Sequence, residues 1–192
     1  MKELVFLLEE ESAKSFLESF LPRIIDSSIS TRLIAFEGKQ DLEKQIIKKI
    51  RGYINQDARF IIMRDQDGNP DPKVIKTNLI DNCVAAGKAN QSLIRIACRE
   101  LETFYLADLA AVEHALNLKG LAKHQSKAKY RSPDDYPNPS GELAILSKRS
   151  YQKVSHSRLI GLYINAENKR STSFGHLVAG IKKMEANLLQ NF

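Results

Sequence analysis

Asp65 and Asp67 stand two residues apart at the end of an apolar run, Phe60-Ile61-Ile62-Met63, and Gly68, Asn69 and Pro70 follow at once. Carboxylates held that close repel, and the usual relief is a raised pKa or a bound cation. An oxygen-only donor set at the end of a strand suits a hard ion, Mg2+ or Mn2+. A solvated acidic turn accounts for the same residues, because Asp, Asn and Gly are turn formers. Other acids recur in the same setting. Glu9 ends the run Leu4-Val5-Phe6-Leu7-Leu8, ahead of the helical spacing of Phe16, Leu17, Phe20, Leu21 and Ile24. Glu100 and Glu102 follow Leu93-Ile94-Arg95-Ile96-Ala97. Residues two apart do not share a helical face, so at most one of this second pair is aimed at a common site. Glu10 and Glu11 read as complements to a helix dipole, and Asp108 as the N-cap of a helix over 109–118.

The elements that must position these acids come from periodicity. Short apolar runs at 4–8, 32–36, 60–63 and 93–97 read as buried strands. Helical patterns lie between them, including one over 41–53 with Asp41 as its N-cap and one over 71–86. Four alternations of strand and helix predict an α/β fold, with a central mainly parallel sheet flanked by helices. Right-handed crossovers then bring the strand ends to one rim, where α/β proteins collect their ligands. Glu9, Asp65, Asp67 and either Glu100 or Glu102 converge there. The expectation is a single domain over 1–192, with a core of about 1–118 and a basic extension of about 119–192.

The 192 residues are 43% hydrophobic and 27% charged, which suits a globular protein. No apolar run approaches the roughly 18 residues of a membrane span, and no secretory signal is visible. Cys83 and Cys98 are isolated thiols, so a reducing cytoplasm is the simplest compartment. The four histidines show no zinc spacing. The net charge of +6 is uneven: residues 119–192 hold 13 Lys and Arg against 5 Asp and Glu, and the first 118 hold 16 against 18. That asymmetry points to a polyanion partner, nucleic acid first. Within the basic part, 120–140 is rich in Lys, Pro, Asp and Ser and reads as a long, mobile loop. A short helix is expected over 140–147 and an amphipathic one over 177–189. Tyr151, Lys153, His156 and Arg158 suit either a surface tracking a nucleic-acid backbone or a solvated helix face. No Gly-rich phosphate loop is visible, so ATP, if used, is bound by another chain.

Glu9 after the first strand, Asp65-Gln66-Asp67 after the third and an acid at the next strand–helix junction resemble the Toprim arrangement of topoisomerases, primases and overcoming-lysogenization-defect nucleases. More closely, Arg64-Asp65-Gln66-Asp67, Glu100-Leu101-Glu102-Thr103-Phe104-Tyr105-Leu106-Ala107-Asp108, Tyr151-Gln152-Lys153-Val154 and Ser171-Thr172-Ser173-Phe174 resemble a Toprim-like family, domain of unknown function 4276. The likeness spans nearly the whole chain. It implies a nuclease or other phosphoryl-transfer activity dependent on Mg2+ or Mn2+, with the metal at Glu9, Asp65 and Asp67 and with Glu100 or Glu102 beside them; Lys153 or Arg158 is then available to offset charge on the scissile phosphate. It also implies a partner ATPase of AAA or ABC type and a place in antiphage defence. The alternative is a non-catalytic, nucleic-acid-binding or regulatory subunit of that ATPase. Two departures bear on the choice. The family places Gly directly after its first Glu and a second Glu four residues after the first, where this chain has Glu10 and Ala13.

Overall fold

The computed structural model describes residues 1–190. Four strands, β1 (Glu3–Leu8), β2 (Ser30–Ala35), β3 (Arg59–Asp65) and β4 (Ser92–Ala97), form one parallel sheet in the order β2-β1-β3-β4. The register pairs Leu8 with Ala35 on one side and with Met63 on the other, and Asp65 with Ala97. The carboxyl ends of the two central strands, β1 and β3, therefore lie side by side, and Glu9 and Asp65 leave the sheet together.

Alternation along the central strands builds two cores. Leu4, Phe6 and Leu8 point with Ile61 and Met63 to one face; Val5 and Leu7 point with Phe60 and Ile62 to the other. Both sets are apolar because both faces are covered, which is why these strands read as continuous runs. Helices α2 (Lys39–Arg51) and α3 (Pro72–Ala85) cover the second face with Leu42, Ile46, Ile50, Ile75 and Leu79. The first face carries α1 (Glu11–Phe20), α4 (Glu102–Leu106), α5 (Leu109–Ala115), α6 (Pro139–Leu146), α7 (Lys153–Tyr163) and α8 (Thr172–Gln190). Each large side chain removed from water here contributes on the order of 1.5–3 kcal/mol. Phe16, Phe20, Phe104 and Phe174 form an aromatic chain through this layer, with ring centroids 5.2–6.4 Å apart. Ile160, Phe174 and Leu177 of the basic part are fully or almost fully buried in the same core as β1 and α1.

Helix α7 lies very close to α1. A Cβ at Gly161 would stand 2.2 Å from Ser19 Oγ and 2.5 Å from the Phe16 carbonyl oxygen, so only glycine fits. Ser19 Oγ donates to the Arg158 carbonyl at 2.6 Å, and Arg23 donates to the Gly161 and Ile164 carbonyls at 2.8 and 2.9 Å. These bonds fix the helix along its length, and with it the place of Lys153 at its N-terminus.

Several sequence expectations are corrected. Asp41 is not an N-cap: Gly38, at φ 99°, holds that place and α2 begins at Lys39, while Asp41 reaches back to accept from the Glu37 N–H at 3.2 Å. Asp108 caps α5 as expected, accepting from the Ala111 N–H. Residues 120–140 are not a loose loop. They form three short 3-10 turns, with Tyr130 fully buried, and Asp134 accepts from the Ser173 N–H at 2.8 Å and from Ser171 Oγ at 2.6 Å. That carboxylate, with Ser171 Oγ accepting from the Phe174 N–H at 3.0 Å, starts α8 five residues earlier than the apolar spacing indicates. Among the described residues, no helix is long and apolar enough to cross a membrane.

Candidate active site

Past the ends of β1 and β3, two turns are stitched together by their own backbone. Asp67 and Arg99 both adopt left-handed φ, 54° and 61°, which residues other than glycine seldom hold without reason. The Asp67 N–H donates to the Arg99 carbonyl at 2.7 Å, and the Arg99 N–H donates to Gln66 Oε1 at 3.2 Å. The Gln66 side chain closes the turn by donating to the Asn69 carbonyl at 2.8 Å. The strained pair thus fixes the directions in which Asp65 and Asp67 leave the sheet.

Asp65 is buried, 7% exposed, and among the described residues no donor reaches its carboxylate. Burial first, then the charges of Glu10, Glu9 and Glu102, hold its pKa well above the usual range, with Lys153 opposing. Glu9 lies beside it: Oε2 accepts from the Asp65 N–H at 3.0 Å, and Arg64 Nε is 3.8 Å away. Burial raises the Glu9 pKa, the Asp65 N–H lowers it, and the charge of Asp67 raises it. Asp67 itself is more exposed and pairs with Lys39 at 2.9 Å.

The two acids after β4 part company. Glu100 turns to α6, where Oε2 accepts from the Ser140 N–H at 2.9 Å. Glu102 points inward and is 0% exposed; Oε1 accepts from Tyr151 Oη at 3.1 Å, and Oε2 is buried without a partner. Burial raises its pKa and Lys153 opposes. Lys153 closes the cluster from α7, with Nζ 2.7 Å from Glu10 Oε1 and 2.8 Å from Glu10 Oε2. Burial works against its charge, but Glu102, Glu10 and Asp65 together keep its pKa above the ordinary lysine value. Arg158, one helical turn further along, is taken by Glu18, and His156 Nδ1 accepts from the Gln152 N–H at 2.8 Å.

The structure therefore brings together Glu9, Asp65, Glu102 and Lys153 from the residues expected, keeps Asp67 at the rim, and assigns Glu100 to holding α6. Two members were missed. Glu10, read as a dipole complement, faces Asp65 and Lys153 and makes no side-chain cap on α1. Tyr151, read as part of an exposed strip, is the donor to Glu102. The family-like phrases draw attention to both positions, but not to their partners, which lie 143 and 49 positions away. At Glu10 the backbone is extended, φ −148° and ψ 165°, so the position accepts a side chain without strain. Ala13, 4% exposed, is packed in the core.

Four carboxylates face the Lys153 ammonium and, beside Glu9, the Arg64 guanidinium, which leaves a surplus of two negative charges when all are ionised. Oxygen donors in such excess, with an unpartnered buried Glu102 oxygen among them, fit a hard divalent cation in chemistry. Among the described residues, however, no three His, Cys, Asp or Glu side chains already stand as a ligand set. Glu9 is turned to a backbone N–H, Asp67 to Lys39, and Lys153 provides the positive charge.

No curated protein matches the sequence. A family model described as a domain of unknown function (DUF4276) matches residues 8–182. Among solved structures, the C-terminal region of the Burkholderia pseudomallei OLD protein is similar, with a TM-score of 0.58 and 11% identity over 96% of this chain and 98% of that one. At that identity the likeness is one of fold, and it is the Toprim-like α/β fold expected from the sequence.

Proposed function

The chain belongs to the DUF4276 family, and from that premise we propose that its acidic centre is a divalent-metal site for phosphodiester hydrolysis in nucleic acid. The observation that carries the reading is Asp65: a buried carboxylate with no donor, set among three further carboxylates at the joined ends of the two central strands. A structural ion pair would be balanced, and this cluster is not. Asp65 and Glu9 would hold Mg2+ or Mn2+, with Asp67, now paired with Lys39, as the third carboxylate. When bound, the ion supplies Lewis-acid stabilisation of a phosphoryl oxygen and a water of lowered pKa.

The chain's own residues do the rest. Lys153, partly exposed and held by Glu10, offsets charge on the scissile phosphate. Glu102 is fully buried and does not touch the substrate; it orients Lys153 and Tyr151 from behind. Gln66 and the left-handed Asp67–Arg99 pair keep the acids from swinging apart, so little reorganisation is required at the moment of reaction. The resemblance to the Toprim-like family implies a partner ATPase of AAA or ABC type, in a two-component system of antiphage defence. One feature favours a second reading, a regulatory subunit: Glu10 and Lys153 already neutralise part of the centre in the metal-free chain.

The test compares wild type and Asp65→Asn, each with and without the co-purified ATPase, on linear and supercoiled DNA and on structured RNA, in Mg2+, Mn2+ or EDTA. Cleavage that requires the ion and falls at least 100-fold in the variant is the expected result. Equal cleavage by both proteins sinks the proposal. No cleavage by an intact complex that still binds nucleic acid transfers the assignment to the regulatory subunit.

A further inference from the structure

Beyond the acidic centre, the basic part of the chain keeps a second surface with charge to spare. We infer that the cleft beside the C-terminal end of α7 is a binding site for single-stranded nucleic acid, with phosphates on Arg131, Lys169 and Arg170 and a base on the His114–Tyr163 ring pair. The cleft has a volume of about 960 Å³, the upper end of the ~300–1,000 Å³ typical of small-molecule sites. It is open, as a passing strand needs.

Charge and exposed rings together select this place. Lys129, Lys153, Arg158 and Lys182 are engaged by Glu142, Glu10, Glu18 and Glu185. Arg131, Lys169 and Arg170 are exposed and have no acidic partner among the described residues. Two acids share the cleft. Asp108 is occupied by two backbone donors, the Ala111 and Asn165 N–H groups at 3.2 and 2.9 Å. Three cations therefore face two carboxylates, a net charge of one positive, with the Asp108 oxygens turned to backbone donors. Part of the positive charge of residues 119–192 is therefore available to an outside anion here, whereas Arg158 is held by Glu18 and Lys153 serves the acidic centre.

The rings supply the second component. His114 and Tyr163 lie 4.1 Å apart between centroids, and Tyr163 is 41% exposed. An exposed aromatic beside unpaired cations is the combination that holds a strand, because every base offers a π-face and every link a phosphate. The cations also stand on a fixed connection. Asn168 is buried, donates to the Ala107 carbonyl at 2.7 Å and accepts from the Arg170 N–H at 2.9 Å. Little ordering entropy is then lost on binding. Lys153 and Tyr163 end the same helix, about 15 Å apart at ~1.5 Å rise per residue, so the cleft is separate from the acidic centre.

The experiment measures fluorescence anisotropy of a labelled oligothymidylate in EDTA, so its failure is distinct from failure of the metal proposal. The variants are Lys169→Glu with Arg170→Glu, Tyr163→Leu, and an equally basic exposed control, Lys148→Glu with Arg149→Glu, each checked for an unchanged thermal midpoint. The expected results are a loss of at least tenfold in the first pair, with the slope of log affinity against log salt shallower by about 1.4, two single-strand contacts at ~0.7 each, and a loss of roughly tenfold for Tyr163→Leu. The control should bind as wild type. Absence of binding at low salt, an equal loss in the control pair, or a preference for duplex with no effect of Tyr163→Leu overturns the inference. So does displacement by free thymidine monophosphate or inorganic phosphate at the strand's own phosphate concentration.

Discussion

At the scale of the residue, carboxylates in this protein differ by what donates to them. Asp65 is buried with no donor and its pKa rises, whereas Glu142, equally buried at 7% exposed, receives Lys129 Nζ at 2.6 Å and the hydroxyls of Tyr130 and Tyr136 at 2.5 and 2.6 Å. Burial acts to raise the Glu142 pKa, but the three donors prevail and lower it, while the Tyr136 hydroxyl is pushed up to about 12 by burial and by Glu142. A carboxyl with a lowered folded pKa adds stability that is present above its unfolded value near 4.5 and lost as pH falls through the folded value. Glu142→Gln should therefore destabilise the protein at pH 7 by about 1–3 kcal/mol, and the gap to wild type should shrink between about pH 5 and pH 3. Urea denaturation across that range reads it; a constant gap means that Glu142 packs but does not titrate. Strand-end acids such as Glu9 and Asp65 were legible because a run of apolar residues announces the strand and fixes where it stops. The roles of Glu142, Glu10 and Tyr151 were not, since each depends on donors brought from distant positions.

At the scale of the element, the four strands and the helices between them were legible from periodicity, and their ends to within a few residues. The basic half was harder, because its elements begin where tertiary partners place them. Helix α8 starts at Thr172 through Asp134 and Ser171, and α7 exists as a fixed lever only through its seam with α1. Gly161 is the residue on which that seam depends. Alanine there should gain about 0.5–1 kcal/mol of helix preference, against a methyl group placed 2.5 Å from the Phe16 carbonyl, where the obstacle is backbone. Overpacking of this kind costs about 1–3 kcal/mol or more, so the clash wins. Gly161→Ala should lower the thermal midpoint by several degrees, at ~2–4 °C per kcal/mol for a chain of this length. A midpoint equal to or above that of wild type would show that α7 is free to stand off α1, and with it Lys153.

At the scale of the whole molecule, an acidic first part and a basic second part are folded through one another, not laid side by side. The seam is crossed by Lys153 on Glu10 and by Arg158 on Glu18, pairs 143 and 140 positions apart. Charge counts along the sequence show the asymmetry, but not that Lys153 and Arg158 are the cations the acidic part engages. This division explains how a chain of net charge +6 can keep a centre rich in carboxylates. The basic part lends it one ammonium and keeps the remaining positive charge outside. Removing that ammonium separates its structural task from its chemical one. In Lys153→Met the four carboxylates lose one of their counter-charges, so the metal-free protein should melt below wild type, while the stem of the side chain still fills its place. The same loss should strengthen the hold on Mg2+, because no ammonium competes for the oxygens. Saturation to about 100 times Kd stabilises by ~2.7 kcal/mol, several degrees here, and the Mg2+-dependent rise should be larger in the variant than in wild type at equal ion. Differential scanning fluorimetry over a Mg2+ series, with Ca2+ and high NaCl as controls for hard-ion specificity and screening, reads both effects. If the variant melts lower yet gains no more from Mg2+ than wild type does, Lys153 is a structural counter-ion alone and the centre is not built to exchange it for a metal.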